Sequence, residues 1–188
     1  MVYVLLRCLY VNAACKFRLS QNSAPGDSET AIAYLALGQT AEANEQWEIA
    51  IEHYASGLSL SSKHPETEYF LFNNASRCLN ALRLFYPAER YCRRAIAIDP
   101  QRHHAYFNLG ISLHGQGNLR GAAWSWVEAM KANPSDQKAP ELLKQLLAER
   151  PTLLRQCPWI PREMLASLGV VFHGGPEGYQ IVYGSCRP

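Results

Sequence analysis

Asn74 and Asn108 stand 34 residues apart in a chain of 188 residues. A side-chain amide donates and accepts at once, so it can pair with both polar groups of a peptide bond and hold an extended backbone whatever that backbone's sequence. The residues around each asparagine keep helical spacing: Phe70, Asn73, Asn74, Arg77 and Ala81 in one stretch, His104, Phe107, Asn108, Ile111 and Gly115 in the next. Positions at i, i+3, i+4 and i+7 share one side of a helix, so each set is a coherent face. Arg77 adds a charge able to meet an acidic group. The chemistry on offer is recognition.

Catalytic arrangements do not emerge from the same search. The sequence holds no G-x-G-x-x-G, P-loop, H-E-x-x-H or G-x-S-x-G pattern. His103 and His104 are adjacent, and adjacent residues of a helix point to different sides, which makes a poor metal pair. His173, beside Gly174 and Gly175, has no identifiable partner and reads as structural. Cys8, Cys15, Cys78, Cys92, Cys157 and Cys186 include no C-x2-C pair, which fits reduced thiols in the cytoplasm; Cys78 and Cys92 read as small core residues. Arg90, Arg93 and Arg94 lack an aromatic platform and read as a solvated face. No metal or cofactor is implied.

The recognition faces need helices to carry them, and the apolar spacing supplies these. Tyr106, Leu109, Gly110 and Leu113 make one stripe of a 3.6-residue period, and Ala122, Trp126 and Ala129 make a second. Gly115, Gly117 and Asn118 lie between the stripes and provide a turn. Pro134 ends the second helix, since it has no N–H to donate and disfavours helical geometry at Asn133. The same order occurs 34 residues earlier, with Phe72, Ala75, Ser76 and Leu79, then Ala88, Cys92 and Ala95, then Pro100. There Cys92 stands in place of an aromatic, and Phe85, Tyr86 or Tyr91 is expected to fill the space. Pro87 falls in the first turn of its helix, where proline is tolerated. A third copy runs through Tyr34, Leu37, Gly38 and Ala41 to Ala50, Tyr54 and Gly57, with four extra residues in the connection around residues 61–68.

This string and its period resemble the tetratricopeptide repeat. The resemblance implies an all-α fold: a right-handed superhelix of three helical hairpins plus a C-terminal capping helix, with a short non-repeat tail. It divides the chain into an extension and linker at 1–28, a repeat domain at 29–150, and a tail at 151–188. Within the domain the repeats fall at about 31–64, 69–102 and 103–136, with the capping helix at 137–150. Leu142, Leu143, Leu146 and Leu147 give that helix its apolar side. The family uses an asparagine at the place of Asn74 and Asn108 to hold a bound peptide. Phe70, Asn73, Asn74, Arg77, His104, Asn108 and Ile111 are therefore the expected peptide-binding residues, and neighbouring helices about 8 to 10 Å apart would let both asparagines hold one segment. The two-carboxylate clamp of some members is not matched, because Leu35 and Gln39 stand where a lysine and an asparagine are wanted.

Residues 1–19 are apolar, but Arg7 interrupts them and their start is uncharged, unlike a secretory leader. Ala13-Ala14-Cys15 is only faintly like a lipidation site, and an extra helix or a loosely ordered extension is the expectation. Residues 21–28 read as a linker, with Ser28 placed to cap the next helix. In the tail, residues 162–168 suggest a short helix, and 170–172 and 179–183 suggest strands around a Gly-rich loop. A hydrophobic share of 48%, a charged share of 18% and a net charge of +2 suit a soluble globular protein and give no argument for nucleic acid. No run approaches the roughly 20 apolar residues of a membrane span. The expected function is a non-enzymatic, cytoplasmic adaptor for a protein or peptide partner. A small chaperone for a secreted or envelope client, or an accessory subunit of an enzyme, are the alternatives.

Overall fold

Three pairs of apolar stripes close into helical hairpins through three-residue turns, and each turn is made in the same way. The computed structural model describes residues 27–60, 64–173 and 180–183. In it α1 (Asp27–Ala43) is followed by α2 (Trp47–Ser59), α3 (Pro65–Ala81) by α4 (Phe85–Ile98), and α5 (His103–Gly115) by α6 (Leu119–Ala132). The central turn residue is left-handed each time, with φ of 57° at Glu45, 59° at Arg83 and 81° at Gly117. The following N–H reaches back across the turn, from Gln46 to the Ala41 carbonyl at 2.9 Å, Leu84 to Leu79 at 2.8 Å and Asn118 to Leu113 at 2.9 Å. These bonds satisfy carbonyls that a helix end otherwise leaves without a partner.

Two of the hairpins bring a large ring against a glycine. A Cβ on Gly38 would overlap the Tyr54 ring, and one on Gly110 would overlap the Trp126 indole, so only glycine admits this approach. In the middle hairpin the same two positions carry Ser76 and Cys92, both fully buried and together a smaller pair. Of the three aromatic residues expected to compensate, Tyr91 packs edge-on to Phe72 with ring centroids 5.5 Å apart, while Tyr86 is 72% exposed.

The chain divides into two compact units, residues 1–100 and 101–188. The first holds α1 to α4 around Ala41, Ala50, Tyr54, Leu71, Ala75 and Cys78, with Leu35, Trp47, Ile51, Leu58 and Tyr91 packed against that cluster. The second holds α5 and α6, on which α7 (Lys138–Glu149) closes with Ala139, Leu143, Leu146 and Leu147 buried. Two short helices follow, α8 (Leu153–Gln156) and α9 (Arg162–Ser167). Then β1 (Val170–His173) pairs antiparallel with β2 (Gln180–Tyr183), Val170 facing Tyr183.

Two local expectations change. The first helix begins at Asp27, so Ser28 lies inside its first turn rather than at its cap. The four extra residues before the second repeat are not all connection: α3 has 17 residues where α5 has 13, and Pro65 to Glu68 add a helical turn. Proline at the first helical position and acidic Glu66 and Glu68 in the first turn suit a helix start. Cys78, Cys92 and Cys157 are buried thiols. Residues 1–26 with Cys8 and Cys15, residues 61–63, the loop at 174–179, and Cys186 lie outside the described residues.

Candidate functional site

In the first unit, α3 carries the amide face. Asn73 and Asn74 are 7% and 6% exposed, and the Asn73 Nδ2 donates to Asn74 Oδ1 at 3.2 Å. Burial of an amide calls for partners, and this pair answers part of the demand internally. Among the described residues, Asn74 engages only through Oδ1, which leaves its Nδ2 hydrogens for solvent or a bound carbonyl. Phe70 is half-buried and meets Tyr69 edge-on, with ring centroids 5.6 Å apart.

Arg77 is not an unengaged cation. Its Nε forms an ion pair with the carboxylate of Glu42 on α1, and the Tyr54 hydroxyl of α2 donates to the same carboxylate at 2.8 Å. Glu42 is 8% exposed and Tyr54 is fully buried, while the Arg77 side chain remains 56% exposed. Sharing Glu42, three helices of one unit are tied at a single charged centre. The Arg77 guanidinium is thus balanced by Glu42, and the face does not carry a net cation there. Glu42 was not anticipated from the sequence. It occupies on α1 the position that Asn80 occupies on α3, and nothing in that spacing marks it as the partner of Arg77.

In the second unit, α5 presents the equivalent face. Asn108 is 5% exposed, Ile111 is half-buried and His104 is exposed. The helix is braced from behind by Trp126, whose Nε1 donates to the Phe107 carbonyl at 3.3 Å, and Ser112 Oγ donates to the Asn108 carbonyl at 2.9 Å. The His103 and His104 rings lie 3.8 Å apart. Desolvation by the surrounding protein, and then the neighbouring His103, lower the His104 pKa from the ordinary imidazole value.

Elsewhere, Arg90, Arg93 and Arg94 are exposed on α4, and Arg93 pairs with Glu89 at 2.8 Å. An open cleft of about 360 Å³ in the second unit is lined by Asn118, Arg120, Gly121, Trp124 and Trp159, which sequence spacing alone did not bring together. Among the described residues no three histidines, cysteines or acids gather to hold a metal, and no helix is long and apolar enough to cross a membrane.

No protein-family model matches the chain. Over an alignment that covers 81% of its length, it is 20% identical to each of two Hsp70-Hsp90 organising proteins of Plasmodium falciparum, spanning 67% of one and 30% of the other. Among solved structures it is similar to the TPR domain of Arabidopsis OM64, with TM-score 0.61 and 22% identity over 66% of this chain and 99% of that one. It is also similar to the Hsp90 co-chaperone Cns1 from Saccharomyces cerevisiae, with TM-score 0.67 and 16% identity over 83% and 55% of the two chains. The second TPR domain of human RPAP3, solved in complex with the HSP70 peptide SGPTIEEVD, gives TM-score 0.59 and 21% identity over 64% and 98%. These likenesses are likenesses of fold.

Proposed function

We propose that this chain, which has the tetratricopeptide-repeat fold, is a non-enzymatic cytoplasmic adaptor that holds an extended segment of a partner protein on the amide faces of its first-of-pair helices. The observation that carries this reading is Asn74, a side chain almost out of water whose Oδ1 is engaged and whose Nδ2 is left to donate. The RPAP3 domain in its HSP70 peptide complex supports the reading as a precedent on the same fold. Phe70, Asn73 and Asn74 contact the partner from the first unit, and His104, Asn108 and Ile111 from the second. Arg77 contributes a guanidinium already balanced by Glu42, so the bound segment need not be acidic.

Leu35 and Gln39 stand where a two-carboxylate clamp wants a lysine and an asparagine, and Leu35 packs against the core cluster. Recognition therefore rests on the interior of a segment and not on a terminal carboxylate. Crosslinking and mass spectrometry on native neighbours identifies the segment, and titration of the synthetic peptide tests the site. Asn74→Ala and, separately, Asn108→Ala each weaken binding by roughly five- to tenfold, the value of a hydrogen bond or two. Amidation of the peptide's C-terminus leaves the affinity unchanged. Full affinity in both variants contradicts the proposal.

A further inference from the structure

On α3, Leu71, Ala75 and Cys78 form a stripe that is 0% exposed, covered by the hairpin before it. Leu71 packs on Gly57 of α2, and Ala75 and Cys78 join the cluster around Ala50 and Tyr54. Because Tyr34 corresponds to Phe72, the same stripe on α1 is Ala33, Leu37 and Thr40. All three are exposed, Leu37 by 50%. Ile32, also 50% exposed, and Ala36 and Ala43 widen the face. The outer face of a terminal repeat is ordinarily polar, and α1 instead presents a surface of the kind its successor buries.

The residues just before α1 supply an occupant. Ala13, Phe17, Ser20 and Pro25 stand at i, i+4, i+7 and i+12, the spacing of Ala88, Cys92, Ala95 and Pro100 and of Ala122, Trp126, Ala129 and Pro134. In both later helices the first three of these residues are buried. One residue, Gly26, separates Pro25 from α1, as two residues separate Pro100 from α5. We propose that residues 13–25 act as the second helix of a preceding half-repeat and dock on the Ala33, Leu37 and Thr40 stripe of α1, with Phe17 in the part that Tyr54 plays for α3.

The test uses the full chain with a thiol at Thr40→Cys, alkylated by iodoacetamide and followed peptide by peptide in the mass spectrometer. Ala97→Cys, at an exposed site of the same unit, is the reference. The docked segment makes Thr40→Cys react about tenfold more slowly than the reference, and adding Phe17→Asp abolishes the difference while helix content is retained. Should Phe17→Asp disturb folding, the smaller Phe17→Ala change gives the same comparison. Reaction at the reference rate without the second substitution overturns the proposal. So does protection that survives Phe17→Asp; if it also grows with protein concentration, the cover is a second copy of the chain.

Discussion

Glu42 holds two side chains that belong to two other helices, and its removal would strand both. Tyr54 is fully buried, so Glu42→Ala leaves its hydroxyl without an acceptor in an apolar cluster. The expected loss is about 1–3 kcal/mol, read from the urea midpoint, whereas Arg77→Ala costs under about 1 kcal/mol because that side chain is more than half exposed. The same centre governs alkaline stability. Burial, and then the Glu42 carboxylate, push the Cys78 thiol from 9.0 up to about 12, and burial first, then the Glu42 hydrogen bond, raise Tyr54 as well. A raised folded-state pKa contributes stability that is complete below the unfolded value and lost as pH climbs toward the folded one. Unfolding free energy therefore declines between pH 9 and 12, and Cys78→Ala makes that decline shallower, as denaturation at a series of pH values would show. At this scale the sequence was legible for the repeat register of the amides, which follows from the helix period. It was not legible for Arg77, because its partner lies 35 residues earlier on another helix and only packing brings the two together.

The helical hairpin is the unit in which local chemistry and packing agree, and its turns show where they do not. Gly117 adopts its left-handed φ without strain, but Glu45 and Arg83 pay a steric cost there. Arg83→Gly and Glu45→Gly each raise stability by roughly 0.5–1 kcal/mol, measurable as a higher urea midpoint with an unchanged slope. Gly110→Ala goes the other way. Alanine favours the helix by about 1 kcal/mol, yet its methyl meets the Trp126 ring, which is only 2% exposed and hydrogen-bonded to Phe107. Overpacking dominates, with a net loss of about 1–3 kcal/mol. The hairpins were readable because small, aromatic and proline positions recur at 34 residues. The extra turn of α3 is harder to read, because residues inserted between two repeats resemble connection, although Pro65 and the acids beside it mark a helix start. The helix α8 spans four residues, too few for any period to register.

Taken as a whole, the chain holds two units, each with its own buried core and each carrying an asparagine at the same repeat position, Asn74 in one and Asn108 in the other, where the proposed recognition would take place. A net charge of +2 gives little long-range steering, so selection of a partner falls to contacts made at close range. Donation from the Asn74 amide to a backbone carbonyl is the contact on which the functional account turns. Replacing backbone amides of the bound segment one at a time by esters weakens each carbonyl as an acceptor, and a scan of such peptides in binding titrations tests this contact directly. The account predicts one position at which the ester lowers affinity for the unaltered protein by about fivefold and leaves affinity for Asn74→Ala unchanged. Equal losses in the two proteins at every position, or no sensitive position at all, would contradict it.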